Sequence, residues 1–174
     1  MGAIKARLDR YARWMYRSGR PNWVARPQNR LSSLLFGAGI LPRRVASLEV
    51  KGRRSGRTIT FPVVIADRAG GEYLVSMLGE QANWVKNVRA AGGAVVLRRG
   101  RREEVTLEEV DVANRAPIIR RYAAVAPGGR PHLGLRRDAS VEECEARAPD
   151  TPVFRITPSA AGRESASSGP ACDN

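Results

Sequence analysis

Four cations, Lys51, Arg53, Arg54 and Arg57, fall within residues 51–57 of the stretch VKGRRSGRTIT. Gly52 and Gly56 stand among them, and β-prone residues flank the run on both sides. A hairpin turn leaves backbone N–H groups without ladder partners, and glycines let an anion come close to them. Guanidinium groups then grip phosphate or carboxylate in a fork. The chemistry on offer is capture of an anion by Arg53, Arg54 and Arg57. The alternative is a solvated basic hairpin tip, and the residues alone leave both open.

Groups for other chemistry are scarce. His132 is the only histidine and lies in a Pro/Gly stretch, where a lone histidine is more often a surface residue than a base. No Ser/His/Asp or Cys/His arrangement fits this inventory, so no catalytic residue is assigned. One histidine and two distant cysteines, Cys144 and Cys172, argue against a zinc site and against a disulfide framework. Glu103, Glu104, Glu108 and Glu109 read as a solvated face opposite Arg98, Arg99, Arg101 and Arg102, not as paired catalytic carboxylates. An enzyme built this way lends binding and orientation while a cofactor does the chemistry.

The chain of 174 residues carries a formal net charge of +13, and the excess is local. Residues 1–57 hold fourteen Lys and Arg against two acids, and the remainder is almost balanced. Such a field attracts nucleic acid, an anionic membrane or a polyanionic small molecule. Aromatic residues at 6%, without a recognition motif, argue against nucleic acid. No run of about eighteen apolar residues exists to cross a membrane, and no long apolar leader opens the chain. The expectation is a cytoplasmic protein, with peripheral contact at the inner face of an anionic membrane as a further option.

The elements that must position the turn follow from periodicity. Ile4, Leu8, Tyr11 and Met15 recur at helical spacing among basic residues, which predicts an amphipathic helix. It would either pack on its own domain or rest on a membrane through residues 1–20. A second helix is predicted near Gln28–Phe36. From there the pattern turns to strands, predicted at Val45–Lys51, Thr58–Ala66, Glu72–Leu78, Ala94–Arg99, Glu103–Glu109 and Pro152–Ile156. Helices are predicted at Asn83–Ala91, from an Asp111 N-cap to about Val125, and at Ser140–Arg147. Pro127–Pro131 reads as a loop. Six short strands in hairpins predict a mainly β fold with flanking helices, a small antiparallel barrel. The organisation expected is basic helices over 1–42, the barrel over 43–157 and a disordered tail over 158–174.

The runs GRRSGRTITFPV, EYLVSMLG and NWVKNVRAAGGAVV, in that order, resemble the deazaflavin-dependent nitroreductase and quinone reductase family. The matching residues are Gly52, Arg53, Arg54, Ser55 and Gly56, then Pro62 and Val63, Ser76 and Gly79, and Trp84 and Asn87. RWMYR at 13–17 and TPVFRIT at 151–157 are similar as well. The resemblance implies a split β-barrel of the FMN-binding kind. It implies hydride transfer from reduced coenzyme F420 to a quinone, a nitro compound or an activated alkene. FMN is the alternative cofactor, and related barrels pair as homodimers.

The resemblance also implies roles. Arg53, Arg54 and Ser55, with Gly56 and Arg57, would hold the phosphate and glutamate tail of the cofactor. Thr60, Phe61, Pro62 and Val63 would line the deazaflavin ring. Ser76, Met77, Leu78 and Gly79 would form the other wall. Asn83, Trp84, Val85, Lys86 and Asn87 would close the site through a helix N-terminus. Trp84 has a second reading as a core aromatic. Of the tyrosines that the nitroimidazole reducers of the family set over their substrate, this chain keeps Tyr122. Met77 stands where the quinone reductases of the family often have a lysine.

Overall fold

The computed structural model describes residues 44–159. The helices expected within residues 1–42, the membrane contact through 1–20 and the tail beyond Ser159 lie outside the described residues. The six strands are β1 (Val45–Lys51), β2 (Thr58–Arg68), β3 (Gly71–Val75), β4 (Ala94–Arg98), β5 (Arg102–Glu109) and β6 (Val153–Pro158). They close into a barrel in the order β1-β2-β3-β6-β5-β4, with β4 returning to β1, and every pairing is antiparallel. The expected mainly β barrel with flanking helices is the observed fold.

Alternation fixes which face points inward. Ala46, Leu48 and Val50 of β1 meet Leu74, Val95, Leu97, Val105, Leu107 and Phe154 from the other strands in one cluster that fills the barrel. Helix α1 (Asn83–Ala90) sends Val85 and Val88 into the same cluster. A second cluster lies outside the barrel. There α2 (Val112–Val125) packs Ile118, Ile119, Tyr122 and Ala123 against Ala66, Val75 and Val153 of the sheet. Leu133 of α3 (Arg130–Leu133) and Cys144 of α4 (Val141–Glu145) complete it. Burial pushes the Cys144 thiol pKa up.

Several boundaries move. β2 runs to Arg68, because the β2–β3 turn is only two residues, Ala69 and Gly70, both at positive φ. That is the turn geometry whose twist matches a hairpin. β3 ends at Val75, where the Ser76 hydroxyl donates to the Gly79 carbonyl at 2.9 Å and bends the chain. Arg130–Leu133 is a short helix where a loop is predicted, held by Arg130 donating to the Ala123 and Ala124 carbonyls. β6 extends to Pro158, which pairs with Val105, so the predicted tail begins too early. Asp111 stands at the N-cap of α2 without a side-chain bond to it.

Candidate cofactor site

The basic turn joins β1 to β2, and most of its amides are already engaged. The Gly52 N–H donates to the Arg57 carbonyl, and the Ser55 and Gly56 N–H groups both donate to the Gly52 carbonyl. The Arg57 N–H reaches the Ser55 Oγ at 3.4 Å, and the Arg53 N–H reaches the Asn87 Oδ1 at 3.3 Å. These donors tie the turn to itself and to α1, and among the described residues the Arg54 N–H is the one amide of residues 52–57 left without a partner. Gly56 is needed for its φ of +64°. A Cβ at Gly52 would come within 2.8 Å of the Ser55 Oγ, so Gly52 serves the turn's own packing. Any grip on an anion falls to the side chains and to the Arg54 amide.

Those side chains divide. Arg53 is a strut: its guanidinium donates to the Asn87 Oδ1 at 2.8 Å and to the Asn83 Oδ1 at 3.4 Å. Asn87 is buried, so the Trp-x-x-Asn spacing of α1 places a carboxamide under the turn as its anchor. Arg54 has no ion-pair partner among the described residues and faces a cleft of about 710 Å³. Arg57 and Ser55 are exposed on the turn and outside that cleft.

The start of α1 forms the next part of the wall. Asn83 and Lys86 line the cleft, and Lys86 donates to the Gln81 Oε1 at 2.7 Å. No side chain caps this helix, and the positive end of its dipole lies at the Asn83 edge of the cleft. Met77, Leu78 and Gly79 supply an apolar stretch. Gly79 has φ +69°, and a Cβ there would meet the Asp150 carbonyl at 2.9 Å. That close approach joins this stretch to a second wall, made by His132 and Leu133 of α3 and by Arg147, Asp150 and Thr151 ahead of β6.

A chain of charges ties the two walls together. Arg89 of α1 bridges Glu80 and Glu109, with N–O distances of 2.6 Å to each. Glu109 also pairs with Arg115 of α2 at 3.0 Å. Arg115 is buried and donates to the carbonyls of Val110, Ala148 and Thr151. Hydrogen bonding from Arg89 holds the Glu80 pKa below the usual carboxylate range. Neither Arg115 nor His132 is among the predicted site residues. His132 reaches the cleft because Arg130–Leu133 coils into a helix, which the flanking Pro and Gly residues obscure.

The predicted residues separate accordingly. Arg53, Arg54, Met77, Leu78, Gly79, Asn83 and Lys86 come together around the cleft. Thr60, Phe61, Pro62 and Val63 of β2 do not line it, and Phe61 and Val63 pack against the barrel core. Ser76 and Val85 are fully buried, so their side chains face inward. Trp84 lies between Phe61 and Phe154, with ring centroids 6.0 and 5.4 Å away, and serves as a core aromatic. Tyr122 is 4% exposed in the outer core, its ring beside Gly129. It does not line this cleft. Among the described residues no group of His, Cys, Asp and Glu could hold a metal, and no helix is long and apolar enough to cross a membrane.

The described residues form a closed antiparallel barrel with a cation-lined cleft at a helix N-terminus, a donor set suited to an anionic ligand. The model of the F420H(2)-dependent quinone reductase family matches residues 27–138, and the chain belongs to that family. It is an oxidoreductase that uses coenzyme F420. Among solved structures, one similar chain is an F420-H2 dependent reductase, with 19% identity over 67% of this chain and 96% of that one, at a TM-score of 0.46. Another is described as a domain-swapped dimer, with 17% identity over 78% and 97% of the two chains and a TM-score of 0.48. A protein of unknown function from Agrobacterium tumefaciens shows 15% identity over 74% and 55%, with a TM-score of 0.49. Comparison with curated proteins gives no match.

Proposed function

We propose that this chain reduces quinones with the reduced deazaflavin, and that the cleft beside the basic turn holds the cofactor's acidic tail. The observation that carries this reading is Arg54, a guanidinium without a carboxylate partner among the described residues, facing a cleft that Lys86 and the uncapped α1 share. The donor set fits a phosphate and carboxylates: it offers several N–H donors and, in Asp150, one acid. When bound, the deazaflavin supplies a hydride to an acceptor stacked on its ring. The chain's own part is to bind the tail, to present Met77 and Leu78 as an apolar surface and to exclude water from it. Arg53, held by Asn87, keeps the turn in place.

Fluorescence titration with oxidised coenzyme F420 tests this reading. The wild type should bind, and Arg54→Ala should weaken binding about tenfold or more. Arg53→Ala would confound binding with loss of the turn's anchor, so Arg54→Ala is the cleaner variant. Binding of FMN in preference to the deazaflavin, seen in the visible spectrum of the loaded protein, would overturn the cofactor assignment. Menaquinone-type and nitroaromatic acceptors, compared by kcat/KM, would then decide the substrate class.

A further inference from the structure

The second wall of the cleft carries a cation to which no role has been given. Arg147 lies between α4 and β6, and its own N–H donates to the Cys144 carbonyl at 3.1 Å, closing α4. Its place is specific. A Cβ at Gly134 would lie 3.2 Å from the Arg147 Nη2, so the guanidinium rests against the bare backbone that ends α3. Arg147, Asp150 and Thr151 also lie beyond residue 138, where the family match ends, so the family pattern gives them no role.

Of the exposed arginines without a carboxylate partner among the described residues, which include Arg57, Arg68, Arg120, Arg137 and Arg155, only Arg54, Arg147 and the amide-held Arg53 line the cleft. Exposed Arg98, Arg101, Arg102 and Arg136 each have a carboxylate within ion-pair distance. Arg147 has none among the described residues, although Asp150 lines the same cleft three residues on. Arg54 is its counterpart on the β1–β2 turn. Two arginines without carboxylate partners, brought to one concavity by different elements, focus a positive field into it.

We infer that Arg147 is a second anion-binding group of the cleft, taking a carboxylate or phosphate oxygen of a bound ligand. The inference rests on the cofactor reading above. The Asp150 carboxylate in the same wall limits where that oxygen sits, so the ligand is selected by position as well as by charge. The anionic group has two possible owners, the acidic tail of the cofactor or an acidic substituent on the substrate.

The test uses the full chain as wild type, Arg147→Gln and Arg147→Lys. Each is titrated by fluorescence with tail-bearing coenzyme F420 and with the deazaflavin chromophore that lacks phosphate and tail. Each is also assayed for KM with a neutral quinone and with a carboxylate-bearing quinone. Arg147→Gln should lose about five- to tenfold in one arm, with partial recovery in Arg147→Lys and a smaller effect at high salt. Loss confined to the tail-bearing cofactor assigns the subsite to the tail. A raised KM confined to the carboxylate-bearing quinone assigns it to the substrate. Unchanged values in every arm, or equal losses with charged and uncharged ligands, overturn the inference and leave the Arg54 reading standing. A wild type that binds neither deazaflavin form overturns the cofactor reading and this inference together.

Discussion

Two hairpin tips in this barrel are rich in arginine, and they do opposite things. At the β4–β5 tip every arginine from Arg98 to Arg102 meets a carboxylate: Arg98 meets Glu49, Arg99 meets Glu72 and Glu103, Arg101 meets Glu103, and Arg102 meets Glu104. At the β1–β2 turn Arg54 and Arg57 meet none among the described residues, and Arg53 is held by amides. The first tip has its charge neutralised in place. The second keeps a net field beside a cleft. Counting cations along the chain does not separate the two; asking where each carboxylate goes does.

That comparison can be broken by substitution. The largest effect is expected at the fully engaged extreme. Arg115→Ala removes a buried guanidinium that joins Glu109 to three carbonyls, and should cost about 3 kcal/mol in chemical denaturation. A loss under 1 kcal/mol would mean the walls are not tied through it. Next, Arg54→Ala should weaken F420 binding about tenfold while leaving the melting temperature almost unchanged. A matching loss of affinity in Arg102→Ala would erase the distinction between the two tips. Arg99→Ala should cost about 1 kcal/mol of stability without altering affinity, since its pairs with Glu72 and Glu103 are only partly buried.

The smallest effect is a titration. Hydrogen bonds from Arg44 first, and Arg121 second, hold the Asp67 pKa down at about 2. The folded value lies below the unfolded value of 3.8, so this pairing contributes fully above pH 3.8 and fades as pH falls towards 2. A carboxyl carbon NMR titration should place the Asp67 midpoint near 2. A midpoint near 3.8 would show that both arginines point away in solution.

Much of the fold was legible because it is local. Alternating Ala46, Leu48 and Val50 announces a strand with one buried face, and glycine-bearing tips announce hairpins. The motif order from Gly52 to Asn87 located the turn and the helix that meet at the cleft. What stayed hidden is long-range. Nothing in periodicity links Arg53 to Asn87, or Arg115 to the carbonyls of Ala148 and Thr151. Two signals were available and unread. Ile118, Ile119 and Tyr122 share one helical face, which marks Tyr122 as core. Ser140 and Glu143 form a capping box whose S-x-x-E spacing stands in the sequence.

The barrel is closed, since β4 pairs with β1 as well as with β5. The closure is not paired along its whole length: β2 pairs with β1 over Thr58–Val64 and with β3 only over Ile65–Arg68, and β1 meets β4 only over Ser47–Glu49. Among the described residues, Thr58–Val64 therefore has one side without a ladder partner, a row of backbone donors and acceptors beside the basic turn. A strand laid along that side would meet backbone as well as side chains, whereas the rest of the ring offers side chains alone.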